Sequence, residues 1–125
     1  MSVLEELQEA VAAVAGAVGP SVVGIGSRLR GSGLVVGNGR VLTNAHNLRG
    51  SEVTVTFADG RREIGTVKAV DGDGDLAVIG VDTKGATPLE WGATDGVQLG
   101  AAVFGAAAAN GSGTRITFGT VSAVE

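Results

Sequence analysis

One histidine occurs in the 125 residues, His46, closing the segment Thr43-Asn44-Ala45-His46 after the apolar pair Val41-Leu42. A neutral imidazole can take a proton from a hydroxyl if it is held in the right tautomer and orientation. A carboxylate bonded to its other ring nitrogen does both. The candidate carboxylate is Asp75, which stands in Asp71-Gly72-Asp73-Gly74-Asp75 directly before the apolar run Leu76-Ala77-Val78-Ile79. A histidine at one strand end and an aspartate just before another strand can meet at the rim of one barrel. On spacing alone, a solvated histidine beside an acidic turn fits the pattern as well. The chain offers no obvious nucleophile for this pair. It has no cysteine, and its serines are Ser2, Ser21, Ser27, Ser32, Ser51, Ser112 and Ser122.

Metal chemistry has weak support, and no cofactor is expected. With one histidine and no cysteine, only carboxylates remain as ligands. Asp71, Asp73 and Asp75 alternate as at the start of a calcium loop, and Asp82 falls at its twelfth position. The loop would need glycine where Leu76 stands, and it uses a bidentate glutamate at the end. The strand-like run over 76–81 also argues against it.

The elements that must position these residues are short. Residues 2–18 read as a helix. Ser2 and Glu5 have capping-box spacing, and Leu4, Leu7, Val11, Val14, Ala15 and Val18 mark one apolar face. Its polar face is acidic rather than basic, which favours packing on the protein over a membrane surface. Gly19-Pro20 ends it. Strands are then expected at 21–25, 32–36, 40–43, 52–57, 62–70 and 76–81. Gly37-Asn38-Gly39 and Asp59-Gly60 supply turns. Six short strands with regular turns predict a small antiparallel barrel or sandwich. A connector covers 82–99, with Trp91 read as a packing residue within it. Two further strands are expected at 101–105 and 115–124, joined by a small-residue loop over 106–113.

Composition narrows the function classes. The length suits one domain, and 44% hydrophobic residues provide for a core of Val, Leu, Ile and Ala, since aromatics are 3%. Net charge is −4 with no basic stripe, so nucleic acid is not expected as a partner. No apolar run approaches the roughly 20 residues that span a bilayer. The N-terminal stretch is acidic, unlike a secretory signal, and the compartment stays open.

The full text of the motifs carries a resemblance. Gly31-Ser32-Gly33-Leu34-Val35-Val36, Val41-Leu42-Thr43-Asn44-Ala45-His46 and Asp75-Leu76-Ala77-Val78-Ile79 followed by Val81-Asp82 resemble the HtrA/DegP branch of the chymotrypsin-like serine proteases. Gly19-Pro20-Ser21-Val22-Val23-Gly24-Ile25 resembles that family's entry strand, and Gly119-Thr120-Val121-Ser122-Ala123-Val124 an early strand of its second barrel. The resemblance covers residues 19–124 in order. It implies a helix over 1–19, a six-stranded trypsin-like barrel over 20–82, an inter-barrel connector over 83–99, and the first two strands of an incomplete second barrel over 100–125. It further implies His46 as general base and Asp75 as its orienting carboxylate, with Asp71 and Asp73 as turn residues. The family is mostly exported.

The departures matter as much. The family's nucleophile lies in a Gly-Asn/Asp-Ser-Gly-Gly segment, which does not occur in residues 1–125. Ser32 lies between glycines, at a position the family uses structurally. Ser112, in Asn110-Gly111-Ser112-Gly113, comes too early and lacks the second following glycine. The family's Asn-Pro after Gly105 is replaced by Ala106 to Ala109. The expectation is therefore a truncated serine endopeptidase, acting on peptides or proteins in its parent and inactive alone. The other readings are a non-catalytic half-barrel that binds a protein partner and a half-barrel engineered to fold alone. The hairpin 101–124 would meet the missing C-terminal barrel or another copy of the chain, since unpaired edges template association.

Overall fold

The computed structural model describes residues 2–28, 31–92, 95–109 and 113–124. It opens with α1 (Val3–Val18), followed by a 3₁₀ turn at Gly19–Ser21. Eight strands follow: β1 (Val22–Ile25), β2 (Gly31–Gly37), β3 (Arg40–Thr43), β4 (Glu52–Thr56), β5 (Arg62–Asp71), β6 (Leu76–Gly80), β7 (Ala102–Ala108) and β8 (Thr114–Thr120). The first six form a closed antiparallel barrel in the order β1-β2-β3-β6-β5-β4, and β7 and β8 form a separate two-stranded sheet.

Alternation along each strand closes the barrel around one apolar filling. Val23 and Ile25, Val35, Val41, Val55 and Phe57, and Ile79 and Val81 point inward and make the core. Strand side chains repeat every second residue, so each short run sends its branched residues to one side. Closure is made by β1 pairing with β4, Gly24 opposite Thr56 and Ile25 opposite Val55. The ladder then has no free edge. A full barrel also brings strands close together. A Cβ on Gly65 would lie 2.4 Å from Ile79 Cγ2, and one on Gly33 2.9 Å from the Leu42 carbonyl oxygen. At the β2–β3 turn, Gly39 takes a φ of +77° and gives its N–H to Thr83 Oγ1.

The segment after β6 straps across the barrel. Thr83 is buried, Leu89 N–H donates to the Val35 carbonyl, and Ser21 Oγ donates to the Thr87 carbonyl at 2.6 Å. Arg61 caps the same end, stacked 4.0 Å from the Phe57 ring and donating to the Asp82 and Thr83 carbonyls. Trp91 does not pack as expected. It is 67% exposed, because the strap leaves the barrel surface after its bond at Leu89.

The hairpin differs from expectation at both ends. β7 runs on to Ala108, pairing Ala106 with Ile116, Ala107 with Arg115 and Ala108 with Thr114. Ala106, Ala107 and Ala108, expected in the loop over 106–113, are therefore strand, since their methyl groups put nothing in the way of the ladder. β8 stops at Thr120, short of the expected 124; beyond it Val121 still exchanges backbone bonds with Ala101 and Gly100. Phe104 and Phe118 face each other across the pair at 5.5 Å. α1 lies against this hairpin, with Leu7, Val11, Val14, Ala15 and Val18 half-buried. Leu4, expected on the same face, is exposed. Ser2 caps the helix by accepting from the Glu5 amide.

Candidate active site

The β3–β6 register determines where the two chemical residues meet. Thr43 pairs with Ala77, the last rung of that ladder. One step beyond, Ala45 N–H donates to the Asp75 carbonyl at 3.1 Å, continuing the pairing past the strand ends. The chain turns at once into a 3₁₀ segment, Ala45–Asn47, which carries His46 back over Asp75. His46 Nδ1 lies 2.5 Å from Asp75 Oδ2, and the His46 amide donates to Asp75 Oδ1 at 2.8 Å. An ionised carboxylate only accepts, so Nδ1 carries the proton and Nε2 keeps its lone pair. Nε2 is the atom left to face outward, and the His46 side chain is 68% exposed.

Asp75 is held from several sides. Asn44 Nδ2 donates to its carbonyl at 3.1 Å, beside the Ala45 amide. Its backbone has φ +55°, a left-handed conformation that Asp and Asn enter more readily than other side chains. The bond from the His46 ring, and next the bond from the His46 amide, hold its carboxyl below the ordinary value of 3.8. Asp71 serves the turn, its Oδ1 accepting from the Gly74 amide. Among the described residues no group of three or more His, Asp or Glu could hold a metal ion.

Two residues near the pair fix the local scaffold. The buried Thr43 hydroxyl donates to the Ser32 carbonyl at 2.8 Å and accepts from Asn47 Nδ2 at 3.3 Å. Ser32 Oγ accepts from the Ala108 amide at 2.9 Å, tying β7 to the barrel. Ser32 is thus a bridge to the hairpin rather than a partner of His46. Among the described residues no serine hydroxyl bonds to the His46 ring. Ser112 lies outside the described residues. Sequence reasoning missed the part Asn44 plays. Its signal was adjacency to His46, but a loop asparagine serves many turns.

A closed antiparallel barrel with a His–Asp pair at its rim belongs to the trypsin-like peptidases, and the comparisons agree: the trypsin-like peptidase domain family matches residues 31–125. The chain belongs to this family. It is 35% identical over 99 residues to the putative serine protease HhoA of Synechocystis, covering 74% of this chain and 25% of HhoA. It is 33% identical over 128 aligned positions to the serine protease PepD of Mycobacterium tuberculosis, covering 89% of this chain and 28% of PepD. The chain thus spans about a quarter of the length of these relatives. Among solved structures, Deg5 superposes with a TM-score of 0.81 at 28% identity, over 98% of this chain and 67% of that one. A serine endoprotease from Yersinia pestis gives 0.75 at 25% identity, over 86% and 42%. These relatives place the chain in the HtrA-type branch, with the N-terminal half of such a protease as its counterpart.

Proposed function

We propose that residues 1–125 supply the first barrel, the general base and the orienting carboxylate of an HtrA-like serine endopeptidase. In this reading His46 Nε2 takes the proton of a serine hydroxyl that is not among these residues, and Asp75 holds the ring and stabilises the imidazolium. The observation that carries the reading is the His46–Asp75 pair, with Nδ1 committed to the carboxylate and Nε2 open. The oxyanion donors of such a site are amides beside the nucleophile, so this stretch alone does not hydrolyse peptide bonds.

Two measurements test this. Residues 1–125 treated with a fluorophosphonate serine probe should give no labelled serine and no cleavage of a fluorogenic protein substrate; a labelled serine overturns it. When these residues are joined to the remaining barrel of PepD, Asp75→Asn should lower kcat by about 10⁴-fold, through loss of the correct tautomer. A drop below tenfold removes Asp75 from the role.

The hairpin β7–β8 is read as the contact surface for the remaining barrel or a second copy. Val103 and Phe118 stand exposed on it. Among the described residues no helix is long and apolar enough to cross a membrane.

A further inference from the structure

An open groove of about 800 Å³ lies beside the His46 segment, walled by Gly26, Ser27 and Arg28 of the β1–β2 turn and by Asn47 and Arg49 after His46. Glu52, Val53 and Thr54 of β4 and Ile64 of β5 complete it. Among the described residues, two arginines and one glutamate thus line this groove in a chain whose net charge is −4. Arg61 pairs with Asp59 and Glu63, and Lys84 with Glu63. Among the described residues neither Arg28 nor Arg49 has a carboxylate within 4.0 Å. The turn bearing Arg28 is also pinned from below, since Arg62 Nη2 donates to the Ser27 carbonyl at 2.9 Å. Gly26 N–H donates to the Thr54 carbonyl, fixing the turn to the groove floor.

We propose that this groove binds acidic side chains of a peptide, with Arg28 and Arg49 as the residues that select them. The volume is in the range of ligand pockets, about 300–1,000 Å³. Arginine's planar fork matches a carboxylate in two parallel hydrogen bonds, and an extended peptide can present successive carboxylates to both walls. Asn47, which lines the groove, is the residue after His46, so the groove starts next to the segment that carries the imidazole. The exposed Ile64 side chain gives an apolar surface for the methylene carbons. The inference rests on the peptidase reading for the nature of the ligand, but not for its readout, because binding needs no nucleophile.

The test uses residues 1–125 and two fluorescein-labelled eight-residue peptides, one with two central glutamates and one with glutamines there, measured by anisotropy at 50 mM NaCl. The acidic peptide should bind at least fivefold tighter. Raising NaCl to 300 mM should remove the preference, as screening shortens to within a few ångströms. Arg28→Gln with Arg49→Gln should abolish it at an unchanged circular dichroism spectrum. Glu52→Gln, which removes the one opposing charge, should strengthen it. Equal binding of the two peptides, or a preference that survives the double variant, overturns the proposal. Either result leaves the serine-probe and Asp75→Asn outcomes unaffected, so the two readings fail separately.

Discussion

At the scale of the residue, Asp75 combines three demands. Its carboxylate takes two bonds from His46, its carbonyl takes two more from Asn44 and Ala45, and its φ is +55°. Because His46 holds its folded pKa below 3.8, Asp75 contributes stability that is fully present above that value. The contribution is lost as pH falls further, through the depressed folded value. Urea unfolding should therefore show the gap between the unsubstituted chain and Asp75→Asn narrowing from pH 6 to pH 3. A constant gap removes the linkage. Asparagine is the right probe, as it tolerates the left-handed backbone. Asn44→Ala should cost about 0.5–1.5 kcal/mol, the net worth of one hydrogen bond. In an active assembly it should lower kcat more than it raises KM, because it positions Asp75 without touching peptide.

At the scale of the element, the strands were legible because their apolar residues alternate. Val53, Val55 and Phe57 share a face in the sequence and in the barrel. The boundaries were less so. Ala106-Ala107-Ala108 has no alternation to read, and only its partners in β8 make it strand. Trp91 misled for the opposite reason: a large aromatic predicts burial, yet it stands 67% exposed among the described residues. Packing gives two stability predictions that equilibrium denaturation can check. Ile79→Ala, at a fully buried position, should cost about 2–5 kcal/mol. Gly65→Ala should cost about 1–3 kcal/mol by overpacking, since its Cβ would strike Ile79 and then Val81.

At the scale of the whole molecule, two units differ in how completely they bury themselves. The barrel is closed and fills its own core, whereas the β7–β8 sheet has two edges and a partly exposed apolar surface. Closed units exchange their amides through larger openings than open hairpins do. Hydrogen exchange should thus be slow for Val23, Val35, Val41 and Ile79 at any concentration. For 102–108 and 114–120 it should slow as concentration rises, with sedimentation showing a larger mass. A strictly monomeric mass with fast exchange throughout the hairpin sinks the idea that it pairs with another copy.

The sequence by itself determined a small antiparallel barrel or sandwich, through alternating apolar residues and turn glycines; its family resemblance narrowed this to a barrel, and it marked His46 and Asp75 as a base and a carboxylate. These are local properties, set by residue type and period. Only the tertiary structure decided that the pair meets, because the β3–β6 register controls whether Asp75 lies opposite Ala45 or a residue away. It alone assigned Asn44 to the Asp75 carbonyl and Ser32 to the Ala108 amide. It also brought Arg28 and Arg49, 21 positions apart in the chain, to the lining of one groove. Strand pairing and barrel closure join distant segments, and no local pattern in the chain encodes the resulting distances.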